Sequence, residues 1–92
     1  MYEITPYTRA KSKKLNVIVK PSTRKGKKID VFDKKGNYLV SIGAQGYFDY
    51  PTYKLYFGKQ FADERRKLYK KRHNKDRNIK HTPGYYADKL LW

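Results

Sequence analysis

The sequence predicts a small α+β domain in which a short antiparallel β-sheet packs against one long basic helix and a C-terminal aromatic helix or clasp. Two β-rich segments surround a glycine-containing turn within residues 28–42, which is typical of a hairpin. Residues 61–74 have acidic side chains near the start and basic ones near the end, which favours a helix. A Thr-Pro pair at 82–83 indicates another helix start. The 92-residue length fits a single domain, which we assign to residues 15–92.

Residues 1–14 are predicted to form an extended basic arm ahead of this domain. The segment contains Pro6 and few side chains that a core could bury. Basic segments of this kind are usually disordered alone and become ordered on a partner. The arm residues expected to contact that partner are Arg9, Lys11, Lys13 and Lys14.

The domain is expected to begin with a short strand at residues 15–19. The apolar side chains alternate there, so they fall on one face. A loop is expected at residues 21–28, because proline, serine and glycine interrupt the pattern.

The hairpin strands are predicted at residues 29–33 and 38–42. Asp33 can accept backbone N–H bonds and start a type I turn, and Gly36 can adopt the left-handed conformation that closes such a loop. This hairpin indicates a fold class and no function, because the same turn occurs in many β-proteins.

An aromatic segment follows at residues 47–57, and its spacing matches neither one strand nor one helix. The rings could form the core, or they could form an exposed platform for stacking bases or for contacting a protein. The aromatic residues predicted to form such an interface, together with those of the tail, are Tyr47, Phe48, Tyr50, Tyr69, Tyr85, Tyr86 and Trp92.

The predicted helix at residues 61–74 is basic on nearly every side. Phe61, Leu68 and Tyr69 form a thin apolar stripe, and arginines lie beside it. A solvated charged face would explain this pattern, and so would arginines that bind acidic groups or phosphates. The helix residues predicted to bind such a partner are Arg65, Arg66, Lys70, Lys71, Arg72 and His73.

The C-terminal tail is predicted to be structured. Thr82 can cap a helix whose first residue is Pro83, and a chain that ends in Leu-Leu-Trp needs those side chains buried. We expect the tail to pack on the hairpin or into a neighbouring subunit.

The charge indicates a polyanionic or acidic partner. The net charge is +15, and residues 1–35 contribute 11 basic and 3 acidic side chains while residues 59–82 contribute 10 and 3. Charge of this size destabilises a compact chain unless a partner neutralises it. The chain has no cysteine and no apolar run of about 18 residues, so we expect neither disulfides nor a membrane span.

The sequence offers little for catalysis, and we predict a non-enzymatic protein without metal or cofactor. His73 and His81 are eight residues apart with no ligand cluster around them, and the acidic residues are scattered. A nuclease-like site formed by Asp49 with Asp63 or Glu64 is the enzymatic alternative.

The second half of the chain contains three features in succession. They are a Tyr-Phe-Asp-Tyr patch at 47–50, an Arg-Arg-x-x-Tyr-x-x-Arg-His segment at 65–73 and a Gly-aromatic segment at 84–92. Together with the upstream hairpin, they resemble the small basic proteins of unknown function encoded by large double-stranded DNA viruses of algae and amoebae. The resemblance covers residues 28–92. It implies a viral setting, with a virion-associated or DNA-associated role, and brings no catalytic residues with it.

Two hypotheses follow. The leading one is a structural protein of the virion, a minor capsid or cement-type component that binds acidic surfaces of larger capsid subunits or packaged DNA. It would lie in the capsid or core after production in the host cytoplasm or nucleus. The alternative is a nucleic-acid-binding module that contacts DNA or RNA phosphates through the basic helix and the arm.

Overall fold

The computed structural model describes residues 2–92, which form an α+β fold with a three-stranded antiparallel sheet and four α-helices. The predicted α+β class is therefore confirmed, whereas the long basic helix packs mainly on the helix before it rather than on the sheet. The elements are α1 (Pro6–Leu15), β1 (Ile18–Pro21), β2 (Lys27–Phe32), β3 (Tyr38–Ala44), α2 (Tyr50–Phe57), α3 (Lys59–Arg72), a 3₁₀ helix (Asp76–Asn78) and α4 (Pro83–Leu90).

The sheet has the strand order β1-β2-β3, and its hairpin lies where the sequence predicts it. Ile29 pairs with Ile42, and both side chains are buried on the core face. The Asp33 carboxylate accepts bonds of 2.9 Å from the backbone N–H groups of Lys35 and Asn37. Gly36 has a φ of 88°, the left-handed conformation that the turn requires.

A buried carboxylate ties the three strands together. Asp30 accepts a hydrogen bond of 2.6 Å from the hydroxyl of Ser22 and another from Ser41. Burial raises the pKa of Asp30, but these hydrogen bonds outweigh it, so the pKa lies below its ordinary value. The carboxylate therefore stays ionised and fixes the loop after β1 against β2 and β3.

The predicted extended arm is wrong, because residues 6–15 are helical. Thr5 caps α1 by accepting a bond from the Thr8 backbone N–H, and Pro6 suits the first helical turn. The helix then packs on the C-terminal segment: the buried Thr8 hydroxyl donates to the Leu90 carbonyl at 2.8 Å. Ile4, just before this helix, is also part of the core.

The predicted strand at 15–19 is displaced, since Leu15 ends α1 and β1 begins at Ile18. Asn16 ends the helix in the left-handed conformation, with a φ of 63°. Of the alternating apolar residues Leu15, Val17 and Val19, only Val19 is buried. The predicted loop at 21–28 is also too long, because β2 already begins at Lys27.

The tail forms α4 and packs on β3, as predicted. Thr82 caps the helix by accepting a bond from the Tyr85 N–H, and Leu91 is buried. Gly43 in β3 makes this packing possible: its φ is 77°, and a Cβ there would lie 2.9 Å from Leu91 Cδ1. The Leu91 carbonyl then accepts a bond of 3.0 Å from the Tyr50 N–H. The tail therefore links the sheet to α2.

Helices α2 and α3 pack side by side around a single-residue connection. Asp49 caps α2 by accepting a bond of 3.1 Å from the Thr52 N–H. Gly58, with a φ of 90°, separates the two helices. Helix α3 begins and ends two residues earlier than predicted, and His73 is its C-cap.

Candidate functional site

Helix α3 turns one face to the C-terminal segment, and a cleft lies beside this contact. Ala62 and Tyr69, two turns apart, are buried on that face. The Tyr69 ring stacks on the Trp92 ring, with centroids 4.4 Å apart and an interplanar angle of 8°. The predicted apolar stripe therefore divides, because Phe61 and Leu68 are exposed.

The cleft has a volume of about 440 Å³ and lies between α3, the loop after β3 and the C-terminal residues. Its walls combine aromatic rings with basic groups, the residue types that bind nucleic acid by stacking and by phosphate contact. The rings are those of Tyr47, Phe48, Tyr53, Tyr69 and Trp92, and the basic side chains are those of Lys28, Arg65, Arg72 and His73.

A buried ion pair forms the floor of this cleft. Lys28 Nζ lies 3.2 Å from Asp49 Oδ2, and the Tyr2 hydroxyl donates to the same oxygen at 2.7 Å. The other Asp49 oxygen accepts from the Thr52 N–H and hydroxyl. Burial and the bond to Asp49 raise the pKa of Tyr2, which keeps its hydroxyl a donor. The carboxylate is thus fully hydrogen-bonded and its charge is offset.

The nuclease-like alternative finds no support in this geometry. Asp49 is only 1% exposed, and its bonds hold the floor together. Asp63 is occupied by Lys59 at 2.8 Å and by the Tyr50 hydroxyl. Among the described residues, no three histidine, aspartate or glutamate side chains are close enough to share a metal ion.

A second hollow of about 410 Å³ adjoins the cleft. Lys28, Tyr47 and Phe48 line both spaces, so the aromatic pair is reached by solvent from two sides. Tyr2 and Tyr56 complete its aromatic lining.

Three of the predicted basic binding residues on α3 make contacts within the molecule. The Arg66 guanidinium lies 4.1 Å from the centroid of the Tyr50 ring. Lys70 Nζ donates to the buried Asp88 at 2.8 Å. Arg65 also lies over a ring, that of Tyr53 at 5.4 Å, but it borders the cleft. These contacts explain how so basic a helix can face a core.

The remaining predicted basic residues are more open to solvent. Lys71 and Arg72 are exposed, and within the described residues Arg72 makes no ion pair. The His73 ring is half-buried and stacks on Tyr69 at 4.4 Å. On α1, Lys11 lies over the Tyr7 ring at 4.8 Å. The exposed basic side chains of α1 are Arg9, Lys13 and Lys14.

The aromatic interface predicted from the sequence also divides. Tyr47 and Phe48 are exposed, and Tyr85 is half-buried against Tyr86. The predicted interface residues that are instead buried in the core are Tyr50, Tyr69, Tyr86 and Trp92. Some of the predicted aromatic residues therefore belong to the core, and others are exposed as a platform would be.

Sequence reasoning missed Lys28 and Tyr2 as parts of the site. Lys28 follows no motif, and its role depends on Asp49, which is 21 residues away in sequence. Tyr2 was placed in the arm, where nothing indicated a contact with Asp49 47 residues later. Only the tertiary structure brings these groups together.

Comparison of the chain with models of protein families, with curated proteins and with solved structures finds no match. Within the described residues, every helix is too short or too polar to cross a membrane.

Proposed function

We propose that this protein binds nucleic acid, with phosphates at the Arg65–Arg72 side of the cleft and at the exposed basic side chains around it. The observation that supports this most is the lining of the cleft, which combines basic groups with rings. A site for an acidic protein needs the charge but not the rings. A single nucleic-acid strand uses both.

The charges around the cleft favour an anion. Arg65 and Arg72 are seven residues apart, so they lie about 10 Å from each other along α3. Both guanidinium groups border the same opening, and the one carboxylate in the lining, that of Asp49, is paired with Lys28. An arriving phosphate therefore meets two arginines and no exposed negative charge. Arginine suits this role because its guanidinium binds phosphate oxygens in pairs.

The net charge of +15 adds a long-range attraction. A positive potential of this size speeds the encounter with a polyanion and weakens with salt. A partner that neutralises it should also stabilise the fold by mass action, since it binds the folded protein.

The test is the affinity for a labelled oligothymidylate about ten nucleotides long, measured by anisotropy at several salt concentrations. The length lies within the site sizes of single-strand binders, roughly 4–16 nucleotides. We expect the logarithm of the affinity to fall linearly with the logarithm of the salt concentration, with a slope of about −0.7 per phosphate contacted. A polyglutamate of equal charge serves as the comparison. Equal affinity for polyglutamate would contradict the proposal and favour an acidic protein partner.

Two single-charge variants separate the site from the general charge. Arg72→Gln should weaken binding and reduce the salt slope by about 0.7, the contribution of one phosphate contact to a single strand. Lys35→Gln removes the same charge from the exposed hairpin turn, outside the cleft lining. We expect it to leave the slope unchanged. Equal effects of the two variants would show that the cleft has no special part in binding.

A second candidate is the virion-associated structural role, which the exposed apolar side chains of α2 and α3 favour. Leu55, Phe57 and Leu68 are exposed, and a charged sugar-phosphate backbone would not bury these apolar side chains. A minor capsid or cement-type component would use them to dock on a larger capsid subunit. In that case mass spectrometry of purified viral particles should find this chain in a fixed ratio to the major capsid subunit.

A further inference from the structure

The inner wall of the cleft is a fixed pair of parallel rings. Tyr69 and Trp92 stack at 4.4 Å, and both are almost completely buried and line the cleft. The Trp92 main-chain oxygen accepts a hydrogen bond of 3.0 Å from the Tyr7 hydroxyl, so α1 anchors the last residue. The wall is therefore in place before any ligand arrives.

The outer wall is an exposed ring held by other rings. The Phe48 side chain is 42% exposed, and its centroid lies 5.4 Å from that of Tyr53 and 5.9 Å from that of Tyr56. These contacts hold Phe48 at the mouth of the cleft without covering it. Arg65 lies over Tyr53 on the same side, so a guanidinium borders the ring cluster.

The cleft that these rings line suits a planar group with a negative charge at one end. Its volume of about 440 Å³ lies in the range of small-molecule sites, roughly 300–1,000 Å³, and is too small for a duplex. The exposed Phe48 ring favours stacking with a flat aromatic group, because Tyr69 already stacks on Trp92. Arg72, at the exposed end of α3, places positive charge on the border of the opening.

We infer that the cleft accepts one unpaired base of a single-stranded nucleic acid, with an adjacent phosphate bound by Arg72. The inference rests on the proposed function and adds to it a preference for single strands over duplexes. Phosphate contacts alone would serve single strands and duplexes alike, whereas a base already stacked and paired in a duplex cannot enter. The protein therefore prefers single strands through this one site.

Trp92 makes the inference measurable. It is the only tryptophan of the chain and lines the cleft, so its fluorescence reports on a base that enters. The probes are oligothymidylate about ten nucleotides long and an abasic strand with the same number of phosphates. We expect the thymidylate to quench Trp92 and to bind about 5- to 150-fold more tightly than the abasic strand, the effect of stacking one base.

Two variants locate the effect. Phe48→Leu keeps an apolar side chain against Tyr53 and Tyr56 but removes the ring, so it should abolish most of the difference between the two probes. Leu55→Ala removes an exposed apolar side chain of α2 that lines neither space, and should leave the difference intact. Thermal unfolding of both variants checks that the fold is retained.

The outcomes separate the inference from the proposed function. Equal, salt-dependent binding of both probes without quenching of Trp92 would overturn the base site and leave phosphate binding standing. Failure of both probes to bind at low salt would overturn the proposed function and this inference with it. A difference between the probes that survives Phe48→Leu would also overturn the assignment to this cleft.

Discussion

Tyr50 and Tyr56, at opposite ends of helix α2, have opposite environments. Tyr50, its first residue, is 4% exposed; its ring packs against Tyr7 and Arg66, and its hydroxyl donates to Asp63 at 2.8 Å. Tyr56, less than two turns later, is 67% exposed. The same division extends across the molecule, with one group of rings inside the core and another at the surface, where Tyr47, Phe48 and Tyr56 border the two hollows.

The comparison shows that composition alone does not assign a role to a ring. Buried rings are those that the C-terminal segment and α1 cover, and they hold the fold. Most of the exposed rings lie on α2, in the loop before it and near the start of α3, and Tyr38 on β3 is a further exposed ring. Exposing several neighbouring rings to water is unfavourable in free energy, so we expect a ligand to cover these rings.

The basic residues of α3 divide in the same way. Lys70 donates to the buried Asp88, whereas its neighbour Lys71 is exposed. Arg66 lies over a core ring and Arg72 borders the cleft without an ion pair to any described residue. One helix thus supplies both the contacts that hold it in place and the charges available to a partner.

The largest expected effect comes from comparing Tyr50 with Tyr56, two of the tyrosines of α2. Tyr50→Ala should lower the free energy of unfolding by about 3–5 kcal/mol, because it removes a buried ring and leaves a cavity. Tyr56→Ala should change it by less than about 0.5 kcal/mol, since the side chain is largely in water. Urea denaturation followed by circular dichroism measures both. Similar losses would mean that the division between the two groups of rings is incorrect.

Glycine substitutions test the packing of the tail on the sheet. Gly43 and Gly36 both have φ near 80–90°, so alanine is strained at either position. Only Gly43 has a neighbour that a Cβ would touch, at 2.9 Å on Leu91. Gly43→Ala should therefore lower the free energy of unfolding by about 1–3 kcal/mol more than Gly36→Ala does. If the two variants lose equal stability, the tail does not pack closely there.

The neighbouring lysines of α3 test the division of the basic residues. Lys70→Ala leaves the Asp88 carboxylate, which is 1% exposed, with only Lys89 at 3.5 Å. We expect a loss of about 1–2 kcal/mol, less than for a fully buried pair because Lys70 is partly exposed. Lys71→Ala should change stability by less than about 0.5 kcal/mol. If Lys71→Ala loses as much stability as Lys70→Ala, the basic residues of α3 do not divide into structural and exposed ones.

Acidification should give the smallest effect, through Asp30. Its pKa in the folded state lies below the value of about 3.9 in the unfolded chain, so its contribution is complete above that value. The contribution is lost as the pH falls through the folded pKa. Asp30→Asn should therefore be less stable than the wild type at neutral pH, and the difference in Tm should shrink below about pH 4. A difference that does not depend on pH would exclude this linkage.

The sequence predicts those parts of the fold that local chemistry determines. Asp33 and Gly36 define the hairpin turn, and Thr82 with Pro83 defines the start of α4. The same Thr-Pro signal precedes α1 at residues 5–6, but the high charge of the segment led to the prediction of an extended arm. Helix α1 forms because its few small polar and apolar residues meet the C-terminus, a contact that sequence spacing does not indicate.

The candidate site could be predicted only in part. Arg65, Arg72, Tyr47 and Phe48 follow from charge and aromatic content, and all four line the cleft. Which rings are buried depends on the distant C-terminal segment, and the pairing of Lys28 with Asp49 depends on the docking of β2 against the loop before α2. Such long-range contacts leave no periodic pattern in the sequence.

The central claim is that nucleic acid binds at the cleft formed by α3, the loop after β3 and the C-terminus. The most direct test is an NMR titration of isotope-labelled protein with oligothymidylate. We predict that the largest shifts occur in residues 47–53 and 65–73 and at the Trp92 indole N–H, with small shifts in β1. Shifts confined to α1 and β1, or spread evenly over all basic residues, would contradict the account.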